Sequence, residues 1–341
     1  MVRLLIVTDA WHPQVNGVVR SLERVGQHLS GRGYDVHYLT PDAFWTMPLP
    51  TYPEIRLSLA TRAAVSEHIV RAAPDYIHIA TEGPLGLAAR HACLALDLTF
   101  STSYHTRFPE YVAARLPVPL EWSYAYLRWF HEAAAVTMAP TPSAIDDLRM
   151  HGFSRLALWS RGVDTSRFAP GPKSCFAGLP GPHMLYVGRV AVEKNIEAFL
   201  QLDLPGTKIV VGDGPQREQL ERNYSEAVFL GKKTGSDLTA LYQSADVFVF
   251  PSRTDTFGNV LIEALACGVP VAAYPVMGPR DVLTDPASGA LDEDLGRAVT
   301  RALGLSRLAA YKHSLNFTWD RAADQFAANL HPAAAPLRIV A

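Results

Sequence analysis

Short apolar runs alternate with amphipathic stretches along the whole chain. Leu4 to Thr8 has no polar face, which predicts a strand covered on both sides. The polar loop Asp9–Val18 follows. Val19, Leu22, Val25 and Leu29 are then spaced for one helix face that ends at Gly31 and Gly33. Val36–Thr40 predicts a second strand. Further strands are expected at Ile55–Leu57, Tyr76–Ala80, Thr99–Tyr104, Val136–Ala139 and Leu156–Ser160. Helices are expected around Arg62–Ala73, up to about Leu96, across Pro117–Ala135 and from Ser143. Ala169–Pro182 is rich in proline and glycine and reads as a linker. A second unit begins after it, with strands Met184–Val187, Lys208–Val211, Val228–Leu230, Val247–Phe250 and Val269–Ala273. Its helices are Glu193–Leu200, Gln216–Asn223, Asp237–Ser244 and an apolar one after Gly258. Further helices run from about Leu291 to Leu330, and Pro332-Ala-Ala-Ala-Pro-Leu337 reads as a frayed end. Strand–helix alternation of this kind means parallel sheets with crossover helices. The two halves look like two copies of one architecture, without a short internal repeat.

A length of 341 residues fits two cores better than one. A net charge of −2 gives no reason to expect a nucleic-acid partner. Cys93, Cys175 and Cys267 are far apart and form neither a disulfide framework nor a metal spacing, which fits a reducing compartment. The run Arg3-Leu-Leu-Ile-Val7 is too short for a signal peptide, and no apolar run nears the roughly 20 residues of a spanning helix. A cytoplasmic protein is expected, with peripheral contact to the inner membrane face left open. The sequons Asn223-Tyr-Ser225 and Asn316-Phe-Thr318 are then chance matches. The Pro117–Ala135 stretch carries Trp122, Tyr124, Tyr126, Trp129 and Phe130, interleaved with Arg115, Arg128 and His131. Core packing and a surface that grips a lipid both describe it.

Ligands of open parallel sheets bind at the carboxyl ends of the strands. The polar, glycine-rich segments fall there: Asp9–Val18, Glu82–Gly86 and His105–Arg107 in the first half, then Gly188–Lys194, Gly212–Pro215 and Pro251–Gly258. Gly17, near a helix start, lets backbone approach a phosphate, or simply turns the chain. Gly212-Asp-Gly-Pro215 lacks the third glycine of the dinucleotide fingerprint, because Arg217 stands there. Arg189 and Lys194 could both reach a diphosphate, one as a fork and one as a point charge; a solvated pair is the plain alternative. Asp292-Glu-Asp294 reads as an exposed turn. His12 and His105 have no ligand-spaced partners, so no metal is expected. The helix Val260–Ala266 is apolar on every side except for Glu263, and a buried carboxylate needs a partner. A pair of ligand hydroxyls would serve, and so would an arginine from elsewhere in the chain. Backbone N–H groups at Thr256, Phe257 and Gly258, at that helix's start, suit an anion.

Taken together, several motifs are highly specific. They are Pro13-Gln-Val-Asn-Gly-Val18, Glu82-Gly-Pro-Leu-Gly86, Tyr104-His-Thr106, Arg161-Gly-Val-Asp164, Val187-Gly-Arg189 with Glu193-Lys194, Val211-Gly-Asp-Gly-Pro215 and Glu263-Ala-Leu-Ala-Cys-Gly-Val-Pro270. Through them nearly the whole chain resembles the retaining glycosyltransferases of family 4. That resemblance implies an α/β protein of the GT-B fold, two Rossmann-like domains with parallel sheets facing across a cleft. The expected domains are 1–168 (acceptor), 183–315 (nucleotide-sugar donor) and a C-terminal helix, 316–335, that returns to the first domain. It implies that Arg189 and Lys194 hold the donor diphosphate under the Gly17 loop. Glu263 would accept from the ribose hydroxyls, and His105 would contact the transferred sugar and help the leaving group. An acid eight residues before Glu263 binds sugar hydroxyls in the family; here it is Asp255, one methylene shorter than the usual Glu. The candidate donor contacts are thus Gly17, Arg189, Lys194, Gly214, Phe257, Gly258, Asn259 and Glu263, with His105 and Asp255 as the candidate catalytic residues. No metal or other cofactor is expected, the nucleotide sugar being a substrate. The motifs also resemble the branch that glycosylates membrane lipids. GDP-mannose is the first expected donor, a UDP-hexose the second, and a lipid or saccharide the acceptor. Two rival readings are a catalytically silent sugar-nucleotide binder, suggested by Asp255, and a dehydrogenase, which the incomplete fingerprint disfavours.

Overall fold

The computed structural model describes residues 1–13, 16–49, 52–113 and 118–333. They form two compact units, Arg161–Thr318 being the second and the flanking segments the first. Gln14 and Val15 of the first motif, Arg115 and Pro117 of the aromatic stretch, and 334–335 of the expected last helix lie outside the described residues.

In the first unit, strands β1 (Val2–Val7), β2 (Tyr34–Leu39), β3 (Thr46–Leu49), β4 (Tyr52–Ser58), β5 (Tyr76–Ile79), β6 (Ser101–Ser103), β7 (Val136–Ala139) and β8 (Leu156–Leu158) are present. Six of them make a sheet in the order β2-β1-β5-β6-β7-β8. All of its pairings are parallel. The apolar run of β1 follows from burial on both faces. Leu5 and Val7 pack with Ile77, Leu85 and Ala89. Leu4 and Ile6 pack with Leu22, Val25, Trp159 and Phe326 on the other side. The expected strand Ile55–Leu57 is real but stands apart from this sheet: it is part of β4, which pairs antiparallel with β3. Proline at 48 interrupts the apolar alternation that would have revealed β3.

The second unit contains β9 (His183–Val187), β10 (Thr207–Val211), β11 (Val228–Phe229), β12 (Val247–Phe250), β13 (Val271–Ala273) and β14 (Gly289–Leu291). They form a sheet in the order β11-β10-β9-β12-β13-β14, again with parallel pairings. Leu185, Val187, Phe248 and Phe250 meet Leu261 and Leu265 on one face. Met184, Tyr186, Val247 and Val249 meet Phe199 and Val299 on the other.

Several boundaries differ from the pattern-based expectation. The change of unit falls at Ser160/Arg161, and the proline- and glycine-rich stretch 169–182 packs on the second unit. Phe176 is buried there, the amides of Ser174 and Cys175 donate to Ser244 Oγ, and Gln243 donates to the Ala169 carbonyl. The aromatic helix runs from Leu120 to His131, and Glu193–Leu200 is a 3₁₀ turn at Val192–Lys194 followed by a helix Ile196–Leu200, because Asn195 between them takes a left-handed conformation (φ 52°). The last helix spans Trp319–Ala328 and belongs to the first unit, where Ala323 and Phe326 enter the core. Pro332 and Ala333 are tied down rather than frayed: Ala333 N donates to Asp75 O at 2.8 Å and Thr99 N to Ala333 O at 3.2 Å.

Candidate active site

With its strands numbered one to six in chain order, the second sheet reads 3-2-1-4-5-6. The order reverses between β9 and β12, the place where open α/β sheets bind ligands. The loops that follow these two strands are laced together there. Asn195 Nδ2 donates to the Pro251 carbonyl at 3.1 Å, and the hydroxyls of Ser252 and Thr254 donate to the Glu193 carbonyl at 3.5 and 3.3 Å. At the centre Lys194 Nζ donates to Asp255 Oδ1 at 2.5 Å, each side chain about a fifth exposed. The second oxygen, Asp255 Oδ2, is sealed from solvent and has no hydrogen-bond partner among the described residues. Leaving a buried acceptor unmet costs about 1–3 kcal/mol, more when charged, so this oxygen calls for a donor from a ligand or water.

The β10 loop completes the scaffold. Gly188 N donates to Val211 O and Val190 N to Asp213 O, both at 2.9 Å. The loops approach so closely that a Cβ on Gly212 would stand 1.8 Å from Gly188 O, so only glycine fits. The glycine pattern therefore serves contact between loops, without a third glycine; Arg217 simply begins the helix Arg217–Asn223. Gly214 N donates to its neighbour's carboxylate, Asp213 Oδ1, at 2.8 Å, within the loop. Arg189 lies exposed on the β9 loop, its carbonyl accepting from the Tyr186 phenol at 2.8 Å.

Glu263 sits on the helix Asn259–Ala266 at 9% exposure. The fully buried Tyr242 phenol donates to its Oε2 at 2.9 Å, a partner 21 residues away that local pattern does not reveal. Phe257 turns its ring inward against Phe317, so its backbone alone is available to a ligand. Gly258 precedes the helix in a left-handed conformation (φ 85°) and brings no capping side chain of its own, and Asn259, half-buried, is its first residue. Burial, reinforced by the Glu263 charge, pushes the Cys267 thiol up to about 12, and burial does the same for Cys93, so neither is a thiolate nucleophile at neutral pH.

The first sheet reads 2-1-3-4-5-6, reversing between β1 and β5. Here the switch point is filled by the protein itself. Asp9 Oδ1 accepts from Leu85 N at 2.8 Å, and Oδ2 accepts from Gly86 N at 3.1 Å and from the Thr81 hydroxyl at 2.9 Å. Asp9 thus caps the helix Pro84–Ala95. A Cβ on Gly86 would stand 1.9 Å from Thr81 O, which explains that glycine structurally. Burial holds the Asp9 carboxyl above its ordinary range, against the pull of these hydrogen bonds. Gly17 opens the helix Gly17–Ser30 on the surface, with Asn16 Oδ1 accepting from Val18 N and Val19 N at 3.0 Å. His105 follows β6, half-buried, its ring edge-on to Trp159 at 5.5 Å. Two residues on, Arg107 pairs with Glu110 at 2.5 Å, and the Tyr124 phenol donates to Glu110 at 2.8 Å.

The acidic triplet is a turn and a cap: Asp292 pairs with Arg297 at 3.0 Å, and Asp294 accepts from Arg297 N at 3.1 Å at the start of the helix Leu295–Leu303. His12 meets Glu23 at 2.7 Å. Among the described residues no group of three His, Cys, Asp or Glu side chains is placed to hold a metal ion, and no helix is long and apolar enough to cross a membrane.

This geometry agrees with what the sequence matches. Residues 15–167 match the model of Glycosyltransferase Family 4, and residues 181–304 that of Glycosyl transferases group 1. The GDP-mannose-dependent alpha-mannosyltransferase of Mycobacterium tuberculosis (strain CDC 1551 / Oshkosh) is 31% identical over 315 residues, which cover 85% of this chain and 83% of that protein. The alpha-monoglucosyldiacylglycerol synthase of Streptococcus pneumoniae (strain ATCC BAA-255 / R6) is 24% identical over 347 residues, 88% of this chain and 78% of that one. Among solved structures, sucrose-phosphate synthase from Thermosynechococcus elongatus superposes with a TM-score of 0.74 at 21% identity, covering 96% of this chain and 98% of that one. The chain belongs to glycosyltransferase family 4, with the GT-B fold. It is a glycosyltransferase that uses a nucleotide sugar.

The two switch points predict different mutant behaviour. Asp9→Ala should lower the unfolding free energy by about 1–3 kcal/mol, through the orphaned amides of Leu85 and Gly86. Nucleotide affinity should stay within about twofold of wild type by calorimetry, well under the tenfold that 1.4 kcal/mol would produce. An unchanged denaturation midpoint with lost affinity would make Asp9 a ligand residue instead.

Proposed function

We propose that the protein transfers mannose from GDP-mannose, with retention, to a membrane lipid. The observation that carries the donor site is the Lys194–Asp255 pair at the switch point of the second sheet, with Asp255 Oδ2 unmatched. A sugar diphosphate answers both halves of it. Lys194 has three N–H donors, so it can meet a phosphate oxygen while keeping Asp255. A sugar hydroxyl can donate to Oδ2. In this reading Arg189 shares the diphosphate charge, Glu263 accepts from the ribose, and backbone at Gly17, Gly214, Phe257, Gly258 and Asn259 completes the donor contacts. His105 meets the transferred sugar. The sugar passes through an oxocarbenium-like state, and the cationic groups stabilise the departing diphosphate as charge develops on it. The choice of mannose and guanosine rests on the mycobacterial relative's name and its near full-length match; a UDP-hexose is the second choice.

Lys194→Ala and Glu263→Ala should each lower GDP-mannose turnover (kcat/KM) by about ten- to a hundredfold, the loss expected for a charge-assisted hydrogen bond. Activity unchanged in both would sink the donor assignment. Nucleotide binding without any sugar transfer or release in the wild type would leave a binder rather than a transferase.

The lipid acceptor rests on the diacylglycerol-directed relative and on the Leu120–His131 helix. Its inward face carries Tyr124, Leu127 and Phe130, all buried. Trp122, Tyr126 and Trp129, at i, i+4 and i+7, share the other face and are 71%, 37% and 46% exposed. Phe108, on the neighbouring helix Phe108–Ala113, is 48% exposed. Exposed aromatics on one helix face are what an interfacial helix presents to a bilayer. The double variant Trp122→Ala/Trp129→Ala should lose cosedimentation with anionic phospholipid vesicles while keeping GDP affinity. Full retention of vesicle binding would remove this face from the docking surface.

A further inference from the structure

We infer that the C-terminal helix Trp319–Ala328 and the turn after it set the orientation of His105, acting through Trp159. This rests on the reading of His105 as the group that meets the transferred sugar. Trp159 follows β8 and is fully buried. Among the described residues, three rings pack edge-on with its indole: His105 at 5.5 Å, His78 at 6.0 Å and Phe326 at 4.8 Å. His78 is fixed in turn, one ring nitrogen 2.9 Å from the Ser101 hydroxyl and the other 2.8 Å from that of Ser103, and its ring also meets Phe326 at 4.7 Å. Phe326 is thus on the opposite link of a chain of rings that ends at His105.

The backbone on either side of Trp159 is held from the same place. Ser160 N donates to Gln325 Oε1 at 2.9 Å, and Asn329 Nδ2 donates to the Leu158 carbonyl at 3.0 Å. Gln325 and Asn329 are four apart, so they lie on one side of the chain with Phe326 next to them. Residues 325, 326 and 329 therefore address residues 160, 159 and 158. A packed core transmits such a displacement instead of absorbing it. With Gln325 and Asn329 gone, the strand end and its indole lose these two bonds, and the imidazole loses the register of a ring packed edge-on against it. Gln325, Phe326, Asn329 and Trp159 are positioning residues, and none of them needs to touch substrate.

The test is the double variant Gln325→Ala/Asn329→Ala in the full-length chain, with Gln325→Glu as the conservative control that keeps an acceptor for Ser160 N. Four readouts are compared with wild type: kcat for sugar transfer, donor KM, calorimetric GDP affinity, and the NMR shift of the His105 ring protons, which lie in the ring current of Trp159. The expected result is a kcat lowered about ten- to a hundredfold, the range of a small misplacement of a reacting group. KM and GDP affinity should stay within twofold, the His105 ring protons should shift, and Gln325→Glu should retain wild-type kcat. Unchanged kcat with an unmoved His105 resonance overturns the inference. A kcat that falls only in step with the folded fraction also overturns it. If the double variant does not fold, Trp159→Phe, which keeps an aromatic core, takes its place under the same criteria. His105→Ala separates the two levels: full activity there removes the reading of His105 itself, whereas lost activity there with normal kcat in the clamp variants removes only the inference.

Discussion

The loops at the switch point of the second sheet centre on one partly buried ion pair, Lys194 with Asp255. Two charges withdrawn from water are expensive, and their attraction compensates only when the remaining lone pairs and protons are also met. Here one acceptor is unmet among the described residues, Asp255 Oδ2. The surrounding loops are not free to relax around it. They are sewn to each other by the bonds of Asn195, Ser252 and Thr254, and are pressed together at Gly188 and Gly212. The pair is therefore held in a rigid frame with one carboxylate oxygen, Asp255 Oδ2, still to be met, which is the preorganisation that binding and transition-state stabilisation both use.

The two sheets obey the same topological rule with opposite outcomes. In the first, the reversal point between β1 and β5 is closed by Asp9, whose carboxylate takes up the helix amides that an anion would otherwise seek. In the second, the reversal between β9 and β12 gathers a lysine, an aspartate and the start of a helix whose cap position is a glycine. A shared architecture thus yields one self-satisfied switch point and one that is not. The difference is made by where a single carboxylate goes: Asp9 bonds backbone, Asp255 bonds a lysine.

Much of the fold was legible because parallel strands buried on both faces need unbroken apolar runs, as at Leu4–Val7 and Val247–Phe250. The loops that carry the candidate site were placed by the same logic, since polar and glycine-rich residues fell at the carboxyl ends of those strands. Glu263 stood out as a lone acid in an apolar helix. What stayed hidden were the pairings over distance. Lys194 and Asp255 are 61 residues apart, Tyr242 and Glu263 are 21 apart, and Asp9 and Gly86 are 77 apart. Local spacing says nothing about such partners. Proline and glycine at 169–182 marked irregular backbone correctly, but irregular backbone is not the same as a boundary, and Phe176 anchors the stretch to the second core. The aromatic helix was ambiguous for a simple reason: Tyr124 and Phe130 are core while Trp122 and Trp129 are surface, so core packing describes only part of it.

The most direct test is a calorimetric comparison of GDP and GDP-mannose binding, without acceptor, in the wild type and in Asp255→Ala. If Lys194 serves the diphosphate and Asp255 Oδ2 serves a sugar hydroxyl, the substitution frees the lysine and removes only the sugar contact. GDP affinity should then hold or tighten, and any advantage of GDP-mannose over GDP should disappear. An equal loss for both ligands, or an advantage for GDP-mannose that survives the substitution, would contradict the assignment of this pair to the donor.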